Sequence, residues 1–183
     1  STLADWVKIL KTFDEHNQHQ IGGLDVIGAS HGIDENNKRG YMWFNKVILR
    51  RLREHFNPNL GLVFGHYLNS CNAVRIHDDT FPDQIINGRP YISFLIPISV
   101  DNDNSLCAYS STITVKPGTM TDSEYQQYFT HEKETIKNKY AIDNVMTWCT
   151  GDLIWWNSEV YHASNNFRTT SESKQSIVIH TYV

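Results

Sequence analysis

The first apolar pattern along the chain is helical. Leu3, Trp6, Val7, Leu10 and Phe13 recur at three- and four-residue spacing, which puts them on one helix face. A polar, glycine-containing stretch from Glu15 to Gly40 follows and reads as surface loop, with His16, His19 and His31 in it. Tyr41, Phe44, Ile48, Leu52 and Phe56 then form a second stripe, with Lys46, Arg50, Arg53 and Glu54 on the opposite face. Asn57-Pro58-Asn59 ends this helix, because the residue before a proline avoids the α region. Beyond it the period changes. Short apolar or alternating runs at 62–68, 73–77, 91–100, 106–109, 112–115, 152–156, 160–162 and 176–182 predict strands separated by polar turns. Thr121-Asp122-Ser123-Glu124 has the form of a capping box, and it predicts a polar helix running to about Tyr140, inserted at the surface.

This order implies one domain over 1–183. Residues 1–60 form an N-terminal helical support, and 61–183 form a β core with a helical insertion at about 121–140. Many short strands joined by polar turns predict a mainly β sandwich or jelly roll with flanking helices. Composition agrees. Ile, Val, Thr, Tyr, Phe and Trp make up 64 of the 183 residues and alanine only 6, a bias toward pleated surfaces.

Charge and cysteine content narrow the function classes. The formal net charge is -4, which disfavours bulk nucleic-acid binding. The Arg50, Arg51 and Arg53 cluster reads as a solvated helix face. No apolar run reaches the roughly 18 residues of a membrane helix. Cys71, Cys107 and Cys149 are too few and too widely spaced for a disulfide framework or a Cys-x-x-Cys zinc site. With no charged-then-apolar leader in view, the expectation is a soluble cytoplasmic protein with reduced thiols. Its oligomeric state is left open.

His77-Asp78-Asp79 carries the chemistry. Residues two apart on a strand point to the same face, so His77 and Asp79 converge and Asp78 does not. An imidazole and a carboxylate on one face supply two adjacent ligands for a divalent metal. His162, at the end of an apolar strand and followed by small Ala163 and Ser164, is the best third ligand. Two histidines and one carboxylate on one side of an octahedral ion define the facial triad of non-haem Fe(II) oxygenases. A bland alternative exists: His77 and Asp79 as a hydrogen-bonded core pair. His66 and His180 read as structural, and His55 and His131 as exposed on helices. One of Trp155 and Trp156 fills the core while the other lines the outside.

From about Leu62 to Val183 the chain resembles the 2-oxoglutarate/Fe(II)-dependent dioxygenases, in particular the prolyl-hydroxylase-like branch. Tyr67 stands ten residues before His77, as a tyrosine does in that branch. Arg89-Pro90-Tyr91-Ile92-Ser93 is similar to its Arg-x-x-Ser/Thr strand start, with one more residue between the arginine and the serine. Gly151-Asp152-Leu153-Ile154-Trp155-Trp156 leads to His162 as the family's distal strand does, and Lys174-Gln175-Ser176 is similar to its basic-x-Ser opening of the final strand. The resemblance implies a double-stranded β-helix. It implies Fe(II) on His77, Asp79 and His162, with 2-oxoglutarate and O2 as co-substrates. It implies that Tyr67, Lys174 and Ser176 hold 2-oxoglutarate, and that hydroxylation is the reaction. Most members use arginine where this chain has Lys174, and the gap from His162 is longer than usual. Arg168 therefore competes for the C5 carboxylate, with Arg75 and Arg89 next in line. The substrate stays open among peptides, amino acids, nucleobases and small metabolites. Two other readings stand beside this one. One is a cupin-type metal enzyme that does not use 2-oxoglutarate, although the strands hold no His-x-His. The other is an inactive barrel used for binding.

Overall fold

The computed structural model describes residues 28–33, 44–70, 73–80, 91–99, 110–166 and 174–183. Eight strands are present among them: β1 (Gly28–Ile33), β2 (Gly61–Ser70), β3 (Tyr91–Ser99), β4 (Ser111–Pro117), β5 (Tyr140–Thr147), β6 (Ile154–Asn157), β7 (His162–Ser164) and β8 (Lys174–Tyr182). They form a five-stranded sheet in the order β1-β2-β8-β3-β6 and a three-stranded sheet in the order β5-β4-β7. Every pairing is antiparallel. Strand β8 lies between β2 and β3, which precede it by a long stretch of chain. That crossover is the signature of a jelly roll, the mainly β architecture expected from the sequence.

Side-chain parity on β8 explains why it sits in the centre. Ile177 and Ile179 have no exposed surface. They pack with Phe94, Ile98, Phe44, Ile48, Leu49, Leu52 and Leu60 on the outer face of the large sheet. Phe44, Ile48 and Leu52 belong to the helical stripe read from the sequence. The segment winds as a π-type turn over Asn45–Leu49 and continues as α1 (Arg50–His55). Burying side chains of this size contributes about 1.5–3 kcal/mol each. Arg50 points outward into an i,i+4 pair with Glu54 at 2.7 Å. Among the described residues no helix is long and apolar enough to cross a membrane.

The small sheet buries its outer face too. Ile113, Val115 and Ala163 pack with Met120, Tyr125 and Phe129. The last two belong to α2 (Asp122–Tyr128) and its C-cap, and Thr121 and Glu124 close the expected capping box at its start. The helix is shorter than the sequence suggested. It stops at Tyr128, a 3-10 turn covers Glu134–Asn138, and β5 starts at Tyr140.

Two strands were not foreseen. In β5, Asn144 pairs with Thr114 and Ile142 with Val115, so Asp143 is an extra residue in a bulge. The bulge spaces the core-facing Ile142 and Val145 by three rather than two, which erases the alternation. Strand β1 falls in the stretch read as loop and contains His31. Gly28-Ala29-Ser30-His31-Gly32-Ile33 has no pattern of its own and is a strand through pairing with β2. The helix expected over Leu3–Phe13 and the strand expected over 106–109 lie outside the described residues.

Candidate metal centre

The space between the two sheets is where His77, Asp79 and His162 meet. Residues 73–77 run beside β7 without forming a regular strand. His77 N–H donates to the His162 carbonyl at 3.0 Å, and His162 N–H donates back to the His77 carbonyl at 2.8 Å. Ser164 extends the contact, with its N–H on the Val74 carbonyl at 3.2 Å and its hydroxyl accepting from Val74 N–H at 2.6 Å. Two residues past the bridge, Asp79 N–H donates to the Ser158 carbonyl at 2.9 Å. The His-x-Asp spacing and the bridge together deliver all three side chains to one point.

Their ligand atoms all lie within 4.8 Å of one another. Asp79 Oδ1 is 3.6 Å from His77 Nε2, and Asp79 Oδ2 is 3.6 Å from His162 Nε2. The tautomers are set by what surrounds them. His77 Nδ1 is 2.7 Å from the Arg75 carbonyl and His162 Nδ1 is 3.0 Å from the Val160 carbonyl. A carbonyl can only accept, so each Nδ1 carries the proton and each Nε2 keeps its lone pair. This is the outer support that metal-ligating histidines ordinarily have. The donor set of two nitrogens and one carboxylate oxygen fits a divalent first-row metal ion. Asp79 and His162 are buried and His77 is half-buried, so the approach is from the His77 side.

Beneath Asp79 runs a row of register partners. Trp156 on β6 pairs with Ser93 on β3, which pairs with His180 on β8. All three side chains are buried. Trp156 Nε1–H donates to Asp79 Oδ2 at 2.9 Å. Ser93 Oγ lies 3.0 Å from His180 Nδ1 and 3.0 Å from Ser158 Oγ. His180 Nδ1 is 3.8 Å from Asp79 Oδ2. Burial raises the Asp79 carboxyl pKa, but His162, His180, His77 and the Ser93 hydroxyl outweigh it, and the net direction is down. Burial dominates for His162 and His180, each pushed down to about 4 against the pull of Asp79. Near neutral pH the Asp79 carboxylate therefore sits beside two neutral imidazoles, His162 and His180, an environment that favours a cation.

His180 was read from the sequence as packing or surface, and its place beside Asp79 was missed. The available signal was its alternation with Ile177 and Ile179, which assigns it to the opposite face of β8. Of the tryptophan pair, Trp156 is buried and Trp155 is 52% exposed, as expected of adjacent strand residues. Ser176 is buried on β8. Tyr67 is the register partner of Ile177, and Lys174 that of Ser70. The side chains of Tyr67, Lys174 and His66 lie outside the described structure, as do Arg168 and Arg89 entirely. Arg75 is exposed, and its described role is the carbonyl that orients His77.

No protein-family model matches the chain, and no curated protein sequence matches it significantly. Solved structures do. HygX from Streptomyces hygroscopicus, solved with nickel, 2-oxoglutarate and hygromycin B bound, superposes with a TM-score of 0.60 at 11% identity, over 98% of this chain and 77% of HygX. EvdMO1 gives 0.56 at 12%, over 100% of this chain and 44% of EvdMO1. AviO1 from Streptomyces viridochromogenes Tue57 gives 0.52 at 12%, over 99% and 82%. The fold is thus the jelly roll, or double-stranded β-helix, expected from the sequence.

Proposed function

We propose that this protein is an Fe(II)- and 2-oxoglutarate-dependent dioxygenase, decarboxylating 2-oxoglutarate to succinate and hydroxylating a small molecule or peptide. The observation that carries the reading is the triad: His77, Asp79 and His162 brought together, with both Nε2 lone pairs freed by backbone acceptors. HygX, a protein of the same fold, has been solved with nickel and 2-oxoglutarate and with iron. When bound, Fe(II) would supply the site for chelating the keto acid and activating dioxygen. His77, Asp79 and His162 would hold it, leaving its remaining positions to ligands. The burial of Asp79 and His162 would keep water from their side of the ion.

Lys174 is assigned to the remote carboxylate of 2-oxoglutarate, with Ser176 and Tyr67 as hydroxyl donors. Ser176 is buried two residues along the strand from Lys174 and four from His180. An ammonium offers that carboxylate a point charge rather than a bidentate fork. The Ser176 hydroxyl supplies a directional donor.

The test is spectroscopic and chemical. Adding 2-oxoglutarate anaerobically to protein supplemented with Fe(II) should produce a visible charge-transfer band, and admitting oxygen should release succinate. Metal binding without a band at saturating 2-oxoglutarate would favour the cupin-type reading. No metal binding at all would favour an inactive binding barrel.

A further inference from the structure

We propose that Trp156 is a positioning residue for the metal centre: its indole N–H occupies Oδ2 of Asp79 and turns Oδ1 toward a metal shared with His77 and His162. The inference rests on the metal-binding reading above. A free aspartate carboxylate turns easily, because rotation about a terminal sp³–sp² bond is soft. Here the backbone of Asp79 is pinned by its N–H bond to the Ser158 carbonyl at 2.9 Å. The carboxylate itself is pinned by Trp156 Nε1–H at 2.9 Å. Oδ1 lies 3.6 Å from His77 Nε2 and Oδ2 lies 3.6 Å from His162 Nε2, so distance to the histidines does not choose between the two oxygens and the indole donor does. The same indole packs beside the second ligand, with ring centroids 4.6 Å apart for Trp156 and His162. Trp156 is held in turn by Leu95, Trp148 and Ile154, all buried. Residues 156–162 thus supply one ligand, one anchor for the Asp79 backbone and one lock on the Asp79 head group.

An N–H on one carboxylate oxygen leaves the other as the better metal donor. The consequence is monodentate binding by Asp79. Without the indole donor the carboxylate can rotate toward bidentate binding or away from the ion.

Trp156→Phe keeps an aromatic ring in the Leu95 cluster and beside His162 but removes the N–H. Titration with Mn(II) and Co(II) alone, without co-substrate, reads the affinity. The visible spectrum of the Co(II) protein reads the coordination. The expected result is an affinity loss of about 10- to 100-fold, the usual effect of removing an outer-shell partner, with a changed Co(II) spectrum. Trp155→Phe, the exposed neighbour, should leave both unchanged. If Trp156→Phe does not fold, β-(3-benzothienyl)alanine at position 156 retains the bicyclic shape without the donor and takes its place. A folded variant that matches wild type in affinity and spectrum overturns the inference and leaves the metal site standing. A wild-type chain that binds neither ion overturns both.

Discussion

His77 and His162 are joined by a reciprocal pair of backbone hydrogen bonds, 3.0 and 2.8 Å long, which holds their rings with centroids 4.3 Å apart. Residues distant in sequence thereby become neighbours through main-chain geometry. Only the folded chain brings these ligands together, so a bound metal adds its binding energy to the folded state alone.

The first prediction follows from that linkage. Removing metal with a chelator should lower the melting temperature without unfolding the protein at room temperature. Metal at a hundred times its dissociation constant should restore about 2.7 kcal/mol. Asp79→Ala should abolish stoichiometric metal binding and with it the metal-dependent rise in melting temperature. Calorimetry with and without Mn(II) checks both. An Asp79→Ala protein that still melts higher with Mn(II) would show that the ion sits elsewhere.

The metal-free protein should lose stability in acid earlier than its carboxylates require. His162 and His180 are pushed from an ordinary 6.5 to about 4 by burial. Between those values the unfolded chain binds protons that the folded chain does not, so stability rises with pH there. It is complete above pH 6.5 and drains as pH falls toward 4. Each full shift corresponds to about 3 kcal/mol, and the two rings share Asp79, so their effects will not add simply. Urea midpoints measured in chelator from pH 7.5 to 5 should fall below pH 6.5. A flat profile over that range would contradict buried neutral imidazoles.

Lys174 and Arg168 make opposite predictions for 2-oxoglutarate. If Lys174 anchors the remote carboxylate, Lys174→Ala removes one partner of a buried charge pair, at a cost of about 2–5 kcal/mol, roughly 30- to several-thousand-fold in affinity. Arg168→Ala should then stay within a few-fold of wild type. Anaerobic titration of the charge-transfer band on folded, Fe(II)-loaded variants decides between them, and a reversed result exchanges the roles.

The segment after α2 braces the triad from outside. Glu132 Oε1 accepts the N–H of Ile76, one residue before His77, at 2.6 Å. The Tyr125 hydroxyl donates to the Glu132 carbonyl at 2.8 Å. Glu132→Ala strands that N–H and should cost about 1–3 kcal/mol, whereas Glu132→Gln keeps an acceptor and should recover most of it. Chemical denaturation of both variants measures the difference. Equal losses would mean that the carboxylate charge, rather than the acceptor, matters.

Gly61 is required by its partner across the sheet. A Cβ there would run into the aromatic ring of Tyr182, its register partner on β8. Gly61→Ala should destabilise the protein by about 1–3 kcal/mol, the usual cost of overpacking. Tyr182→Ala in the same chain should reduce that penalty, and a double-mutant cycle reads the coupling.

What could be read in advance was whatever depends on local period. The Phe44, Ile48 and Leu52 stripe, the apolar runs of β2, β3 and β8, the Thr121 cap and the same-face relation of His77 and Asp79 need only a few consecutive residues. What escaped depends on register between distant strands. His180 is beside Asp79 only because β8 aligns it with Ser93 and Ser93 with Trp156. Strand β5 was hidden by its bulge at Asp143, and β1 by small residues that lean on β2. The grouping of His77, Asp79 and His162 was legible, and the hydrogen bonds that orient them were not.

The central place of β8 also governs the order in which the protein can be made. Strands β2 and β3 emerge from the ribosome long before residues 174–182, yet each has β8 as a neighbour. Until that strand arrives, two apolar strand edges in the nascent chain have no native partner, a condition that invites mispairing. Closure then joins segments far apart in sequence, the topology of slow folders. The strand that carries His180, Ser176 and Lys174 is therefore also the closing stave, and no complete site can exist in a chain whose synthesis has stopped short of it.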